Sequence, residues 1–354
     1  MNKIKKHILQ SGPISVAEYM TLSLNHPKFG YYMTKQPFGN KGDFTTSPEI
    51  SQMFGELIGL WWLDYFIKCT QYKDNSDIIL CDIGAGTGTL ISDAVRAIEK
   101  IHPMFSDIFK KIYLIDSSPI LKPIQKKVLP YSNLISDIKE LPNNFLFAVA
   151  NEFFDTLPTH QFLRIKNNWY ERLVGFDKKE GLIYTVSPNI SKFSNLLPQK
   201  AEEGSIIEYS PKSINLISLL VEHIKKFGGI ILIIDYAKEK DDTAGTIQSL
   251  KNKEKVNPLS KPGQIDISVK VDFEKLSEVA KENGAMVSGP ISQKQFLKNL
   301  GIEQRTKILI NNNPQLRDKL IIDLNRLVNT DEMGNIFKVI SIYNTNYPKP
   351  DGFY

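Results

Sequence analysis

The stretch Ile79-Leu80-Cys81-Asp82-Ile83-Gly84-Ala85-Gly86-Thr87-Gly88-Thr89-Leu90 places three glycines between a short apolar run and a helical pattern through Leu90, Ile91, Ala94, Val95 and Ile98. Such a run reads as a strand, a tight turn and a helix. Glycines let the backbone approach a ligand with no Cβ in the way, and the helix that follows offers free N–H groups. The spacing is Gly-x-Gly-x-Gly. A dinucleotide fingerprint needs Gly-x-Gly-x-x-Gly, and position 89 is Thr, so a nicotinamide cofactor is disfavoured.

Outward from this turn, Ile78–Leu80, Ile112–Ile115, Phe145–Ala150 and Ile230–Ile234 are apolar without alternation, as strands of a parallel sheet covered on both faces should be. Three end at an acid, Asp82, Asp116 or Asp235, and the fourth is followed by Asn151-Glu152. An open α/β sheet binds its ligands at these carboxyl ends. Asp116, closing the strand after the glycine turn, is placed to accept hydrogen bonds from two ribose hydroxyls of an adenosyl group. The arrangement is similar to that of the class I S-adenosylmethionine-dependent methyltransferases, so the expected fold is α/β with a Rossmann-like sheet.

The N-terminal part reads as helical. Ser15 and Glu18 have capping-box spacing for a helix to Leu24. A Gly-, Lys- and aromatic-rich loop covers Pro27–Thr46. Ser47 and Pro48 then suit the start of a long helix through Ile50, Met53, Phe54, Leu57, Ile58, Trp61 and Tyr65. Trp61 and Trp62 belong to the core and a partner-facing side of that helix. The expected division is residues 1–69, a helical segment with a lid loop, and residues 70–354, the sheet domain with an insertion at about 156–210. In that insertion Gln161–Ile165, Trp169–Phe176 and Leu182–Val186 read as a β meander. Residues 238–261 carry no firm element. A helix over Asp272–Glu282, a strand near Met286 and a strand Phe337–Tyr343 complete the sheet.

The chain has 354 residues, 42% apolar and 23% charged, with net charge +5 spread along its length. That balance excludes a mostly disordered or collagen-like chain and gives nucleic-acid binding, including RNA methylation, little support. Cys69 and Cys81 build no disulfide framework, and with five dispersed histidines they show no zinc spacing. No metal is expected. No apolar run reaches the roughly 20 residues of a membrane span, and neither a secretory nor an Arg-rich transit segment is visible at the start. A cytoplasmic protein in its mature form, without membrane insertion, is the expectation.

Longer segments are more specific. Gly12-Pro13-Ile14-Ser15, Gly30-Tyr31-Tyr32, Gly42-Asp43-Phe44-Thr45-Thr46-Ser47-Pro48-Glu49, Ala150-Asn151-Glu152-Phe153-Phe154-Asp155, Ile234-Asp235-Tyr236 and Val271-Asp272-Phe273 occur in this order. Together, from about Gly12 to Gly301, they resemble the MidA-type methyltransferase family, and Leu157–Phe162 resembles its mitochondrial branch, which assists assembly of respiratory complex I. The resemblance implies S-adenosylmethionine as cofactor and an arginine side chain of a protein, such as a complex I subunit, as acceptor. The family usually has His or Arg after its Asp-Tyr strand; here the segment is Gln248-Ser249-Leu250-Lys251-Asn252-Lys253. An assembly or binding factor that keeps the fold without turnover is the alternative, and a homodimer is an open possibility.

The candidate cofactor residues are Asp82, Gly84, Gly86, Gly88, Asp116, Asn151 and, on the lid loop, Asp43 with Phe44. Asp137 is a further candidate for the adenine amino group, or a turn acid. An arginine acceptor stays charged near neutral pH and needs carboxylates to orient its fork of N–H donors. Glu152 and Asp155 suit that task, with solvated-loop and helix-cap readings beside it, and Glu152 or His160 could take the proton that leaves. Asn151-Glu152-Phe153-Phe154 has the outline of the Asn-Pro-Pro-Phe loop of amino-methyltransferases without its prolines. Glu208 is either a channel residue or a strand-end acid.

Overall fold

The computed structural model describes residues 3–37, 45–69, 78–103, 111–239, 241–251 and 254–354. They fall into two compact units, so the chain is not divided near residue 69. One unit takes the described residues of Met1–Pro37, Asp155–Asn215 and Lys238–Val271; the other takes those of Phe38–Phe154, Leu216–Ala237 and Asp272–Tyr354.

The second unit is built on a sheet of seven strands: β1 (Ile78–Ile83), β2 (Ile112–Ile115), β3 (Asn133–Ile135), β4 (Phe145–Asn151), β5 (Gly229–Tyr236), β6 (Met286–Ser292) and β7 (Phe337–Tyr343). Their order is β3-β2-β1-β4-β5-β7-β6, parallel except for β7, which is antiparallel to both β5 and β6. This is the class I methyltransferase sheet. Every residue of β1 and β4 is buried, which is why neither shows alternation. The order reverses between β1 and β4, and such a reversal opens a crevice at the strands' carboxyl ends. Strand β3, with only three residues and no fully buried position, escaped the sequence reading.

The long helix expected from Ser47 is two: α1 (Ser47–Ile50) and α2 (Gln52–Cys69), parted by Ser51 in extended conformation (φ −153°, ψ 136°). Helix α2 packs on α3 (Thr89–Ile101) through glycines. A Cβ at Gly55 would lie 2.7 Å from the Leu90 carbonyl oxygen, and one at Gly59 2.5 Å from that of Ala94. No side chain fits there, so the helices meet backbone to backbone. Glu56, 2% exposed, accepts from Arg96 of α3 at 2.9 Å and from Arg305 at 2.8 Å. Arg305 lies on α4 (Ile302–Asn312), which precedes α5 (Arg317–Val328). Trp61 and Trp62 are both core residues.

In the first unit the expected meander is present as His160–Ile165, Asn168–Asp177 and Gly181–Ile190. The short strands Ile14–Ser15 and Ile206–Tyr209 extend the same antiparallel sheet. Ser15 caps the helix Val16–Asn25 by accepting the Glu18 N–H. Within the stretch expected as one loop, Tyr31–Thr34 form a helical turn and Tyr31 is buried.

Candidate functional site

The glycine turn after β1 is made of left-handed residues: Gly84, Gly86 and Gly88 have φ of 79°, 54° and 83°. A Cβ at Gly84 would fall 2.4 Å from the Phe153 ring, so this turn and the turn after β4 pack ring against backbone. Gly88 begins α3 with no side-chain cap, which leaves helix N–H groups for a ligand. Asp116, just past β2, accepts the Ser118 N–H at 2.8 Å and the Gln125 amide at 3.1 Å, and the same amide nitrogen donates to the Gly86 carbonyl at 2.8 Å. Gln125 therefore locks the acid to the turn, a role no local pattern announces. Burial raises the Asp116 pKa, and these hydrogen bonds oppose the rise. Asp82 is raised to about 8, by burial first and by the Asp116 charge second.

Glu152 follows β4 in a left-handed conformation, φ 52°, uncommon for a residue with a side chain. Its Oε1 accepts the Ser47 N–H at 2.8 Å and the Asn151 amide at 3.0 Å. Burial of the carboxyl raises its pKa; those bonds and the positive charge of Arg326 oppose the rise. Asp235, fully buried at the end of β5, accepts the N–H groups of Phe153 and Phe154 through Oδ2 at 3.1 and 2.8 Å. It thereby fixes the turn that carries Glu152. Asp235 was only a strand-ending acid in the sequence. Asp82, Gly84, Gly86, Asn151, Glu152 and Glu49 line one cleft. Glu49 of α1 accepts both threonine hydroxyls of the glycine turn, Thr87 at 2.5 Å and Thr89 at 3.3 Å.

The remaining candidates lie elsewhere. Asp155 and His160 belong to the first unit, so the sequence-predicted trio is not gathered in one unit. The Asp155 carbonyl accepts the Val269 N–H, and its charge, with that of Asp266, adds to burial in raising the Tyr32 pKa. His160 Nδ1 is 2.6 Å from Glu171, with the ring stacked on Phe162. Glu208 accepts from Gln161 and from both the N–H and hydroxyl of Thr246, so it is a clamp between strands. Asp137 caps the turn Ile138–Glu140. Asp43 and Phe44 lie outside the described residues. Among the described residues no group of His, Cys, Asp and Glu is placed to hold a metal, and no helix is long and apolar enough to cross a membrane.

The cleft fits an S-adenosyl group on three observations. Gly84 and Gly86 bring bare backbone to the cleft, a helix start is uncapped, and Asn151 Oδ1 is buried without a hydrogen-bond partner among the described residues. Residues 57–291 match the model of a family described as an S-adenosyl-L-methionine-dependent methyltransferase. The protein arginine methyltransferase NDUFAF7, mitochondrial, of Danio rerio is 33% identical over 98% of this chain and 87% of its own length. The chain belongs to the MidA-type family of S-adenosylmethionine-dependent methyltransferases. The human protein of the same name is 31% identical over 97% of this chain and 82% of its own. A crystal structure from Burkholderia thailandensis bound to S-adenosyl-homocysteine superposes with a TM-score of 0.86 at 22% identity, covering 99% of this chain and 92% of that one. It shares the fold. S-adenosylmethionine is the cofactor of this methyltransferase family.

Proposed function

We propose that this methyltransferase modifies an arginine side chain of a protein, a respiratory complex I subunit being the first candidate. The observation that supports this most is Glu152, a carboxylate held on a left-handed backbone in the cleft of the glycine turn. The curated relatives, named protein arginine methyltransferases, agree with it.

Bound S-adenosylmethionine supplies an electrophilic methyl group on a sulfonium. The glycine turn, the start of α3, Asp116 and Asn151 would hold the adenosyl and methionyl parts, and Asp82 would face their positive charge. In-line displacement asks the protein chiefly for alignment. Glu152, pinned by Ser47 and Asn151, orients the guanidinium so that one terminal nitrogen faces the methyl carbon. As the N–C bond forms and the S–C bond breaks, the nitrogen must lose a proton. Glu152, with a pKa above the usual carboxylate range, is suited to receive it.

The test incubates purified protein with isotopically labelled S-adenosylmethionine and a peptide array covering complex I subunits, followed by mass spectrometry of the modified residue. Label on arginine is expected. Glu152→Gln should lower the rate about a hundredfold, because one buried charge-assisted contact to the acceptor is lost, with cofactor affinity nearly unchanged. Label confined to other residue types overturns the reading.

A further inference from the structure

Beside the cofactor cleft lies a cavity of about 370 Å³ walled by α1, α4, α5 and the residues between the last two. Its apolar wall includes Ile50, Leu309, Leu316 and Leu320, and its acids are Glu49, Asp93 and Asp323. Lys319 also lines it, and is held by Asp323 at 2.8 Å. The cavity and the cofactor cleft have Pro48, Glu49 and Thr89 in common, so Glu49 stands at their junction.

We infer that this cavity receives the acceptor's arginine side chain, and that Glu49 is the carboxylate which, with Glu152, holds its guanidinium. The inference rests on the arginine reading above. Three observations carry it. The wall chemistry suits a long side chain with an apolar stem and a cationic head: leucine and isoleucine share the wall with Glu49, while the other two acids, Asp93 and Asp323, are paired with Arg96 and Lys319. Both threonine hydroxyls go to Oε1 of Glu49, and no described residue donates to Oε2, so one oxygen anchors the carboxylate while the other faces a ligand. On the cleft side, Glu152 lines the same space as Glu49. Acceptors crowd this junction, and a guanidinium supplies five donors in a rigid fork. Arg326 of α5 acts on Glu152 by charge and opposes the rise that burial gives its pKa. At the mouth, Leu316 is 44% exposed, where an incoming polypeptide would cover it.

The probe is N-acetyl-L-arginine methylamide, with the citrulline analogue as an uncharged isostere, titrated into methyl-labelled full-length protein saturated with S-adenosyl-homocysteine. Saturable shifts at the methyl groups of Ile50, Leu309 and Leu320 are expected from the arginine probe, with citrulline about tenfold weaker. Glu49→Gln should weaken the arginine probe about tenfold while S-adenosyl-homocysteine affinity stays within about twofold. Leu316→Lys, at a position 44% exposed, should weaken it as well by placing a like charge at the mouth. Shifts absent or confined to methyls remote from the cavity overturn the inference. So does Glu49→Gln acting on the cofactor product alone. Methylarginine found in the peptide array with a silent cavity would sink this inference only; a seated probe with no methylarginine would sink the arginine reading.

Discussion

Asp82 enters the cleft with a pKa pushed to about 8, so near neutral pH it is mostly protonated in the cofactor-free protein. A cationic cofactor nearby must pull that pKa down, and binding then expels a proton. Affinity for S-adenosylmethionine should rise with pH between about 6 and 8 and level off above. Calorimetry in buffers of different ionisation enthalpy measures the released proton, and Asp82→Asn should abolish both the release and the slope. The stability sign runs the other way. The unfolded chain ionises Asp82 near the ordinary aspartate value of 3.8, so it binds fewer protons than the native state between there and about 8, and stability falls as pH rises through that window. The glycines divide by what surrounds them. Gly84→Ala meets both left-handed strain, about 1–2 kcal/mol, and the Phe153 ring, so cofactor affinity should collapse. At Gly88 a Cβ meets nothing closer than 3.6 Å, so Gly88→Ala carries the strain alone and should still bind cofactor. Thermal melts and titrations on the pair separate the two effects.

Between elements, Asp235 is the strap that holds the turn after β4 against β5. Asp235→Ala would remove the carboxylate that accepts the Phe153, Phe154 and Tyr236 N–H groups. That costs about 2–4 kcal/mol, and methyl transfer should fall further than cofactor affinity, because Glu152 loses its support. Glu56 ties α2 to α3 and α4 through two arginines. Glu56→Ala should destabilise by about 1–3 kcal/mol, readable by denaturant titration, since it removes the partner that Arg305 shares with Arg96, while Arg96, half exposed, keeps Asp93. The sequence made the elements legible where a face is uniformly buried, as in β1, β4 and β5, or where a cap is local, as at Ser15 and Asp272. It concealed the break at Ser51, because the apolar spacing of α1 and α2 runs on across it. Asp116 and Glu152 were legible as strand-end polar residues. Gln125, Glu49 and the strap at Asp235 were not, because each acts on a residue distant in the chain: Gln125 reaches Gly86, Glu49 reaches Thr87, and Asp235 reaches Phe153.

On the scale of the chain, the hydrophobic pattern gave the class of the sheet but not its partition into units, because unit membership depends on pairings that no periodicity records. Residues Ile14 and Ser15 pair with Val174 and Leu173 respectively, which puts the first helices with the meander rather than with α2. The same non-local pairing shapes assembly. Strand β5 ends at Tyr236, yet one of its two neighbours, β7, begins only at Phe337, about 100 residues later. At a synthesis rate of roughly 5–20 residues per second, β5 emerges on the order of 5–20 seconds before the strand that covers its edge. During that interval a strand with the apolar run Ile230–Ile234 offers a row of unpaired backbone groups to any other chain, an aggregation hazard on the ribosome. A chain truncated after Ser292 keeps that edge open for good and should accumulate as inclusion bodies or bound to chaperones, which fractionation of expressing cells would show. For this fold the order of translation runs against the order of the sheet, and nascent-chain protection is a requirement of its topology.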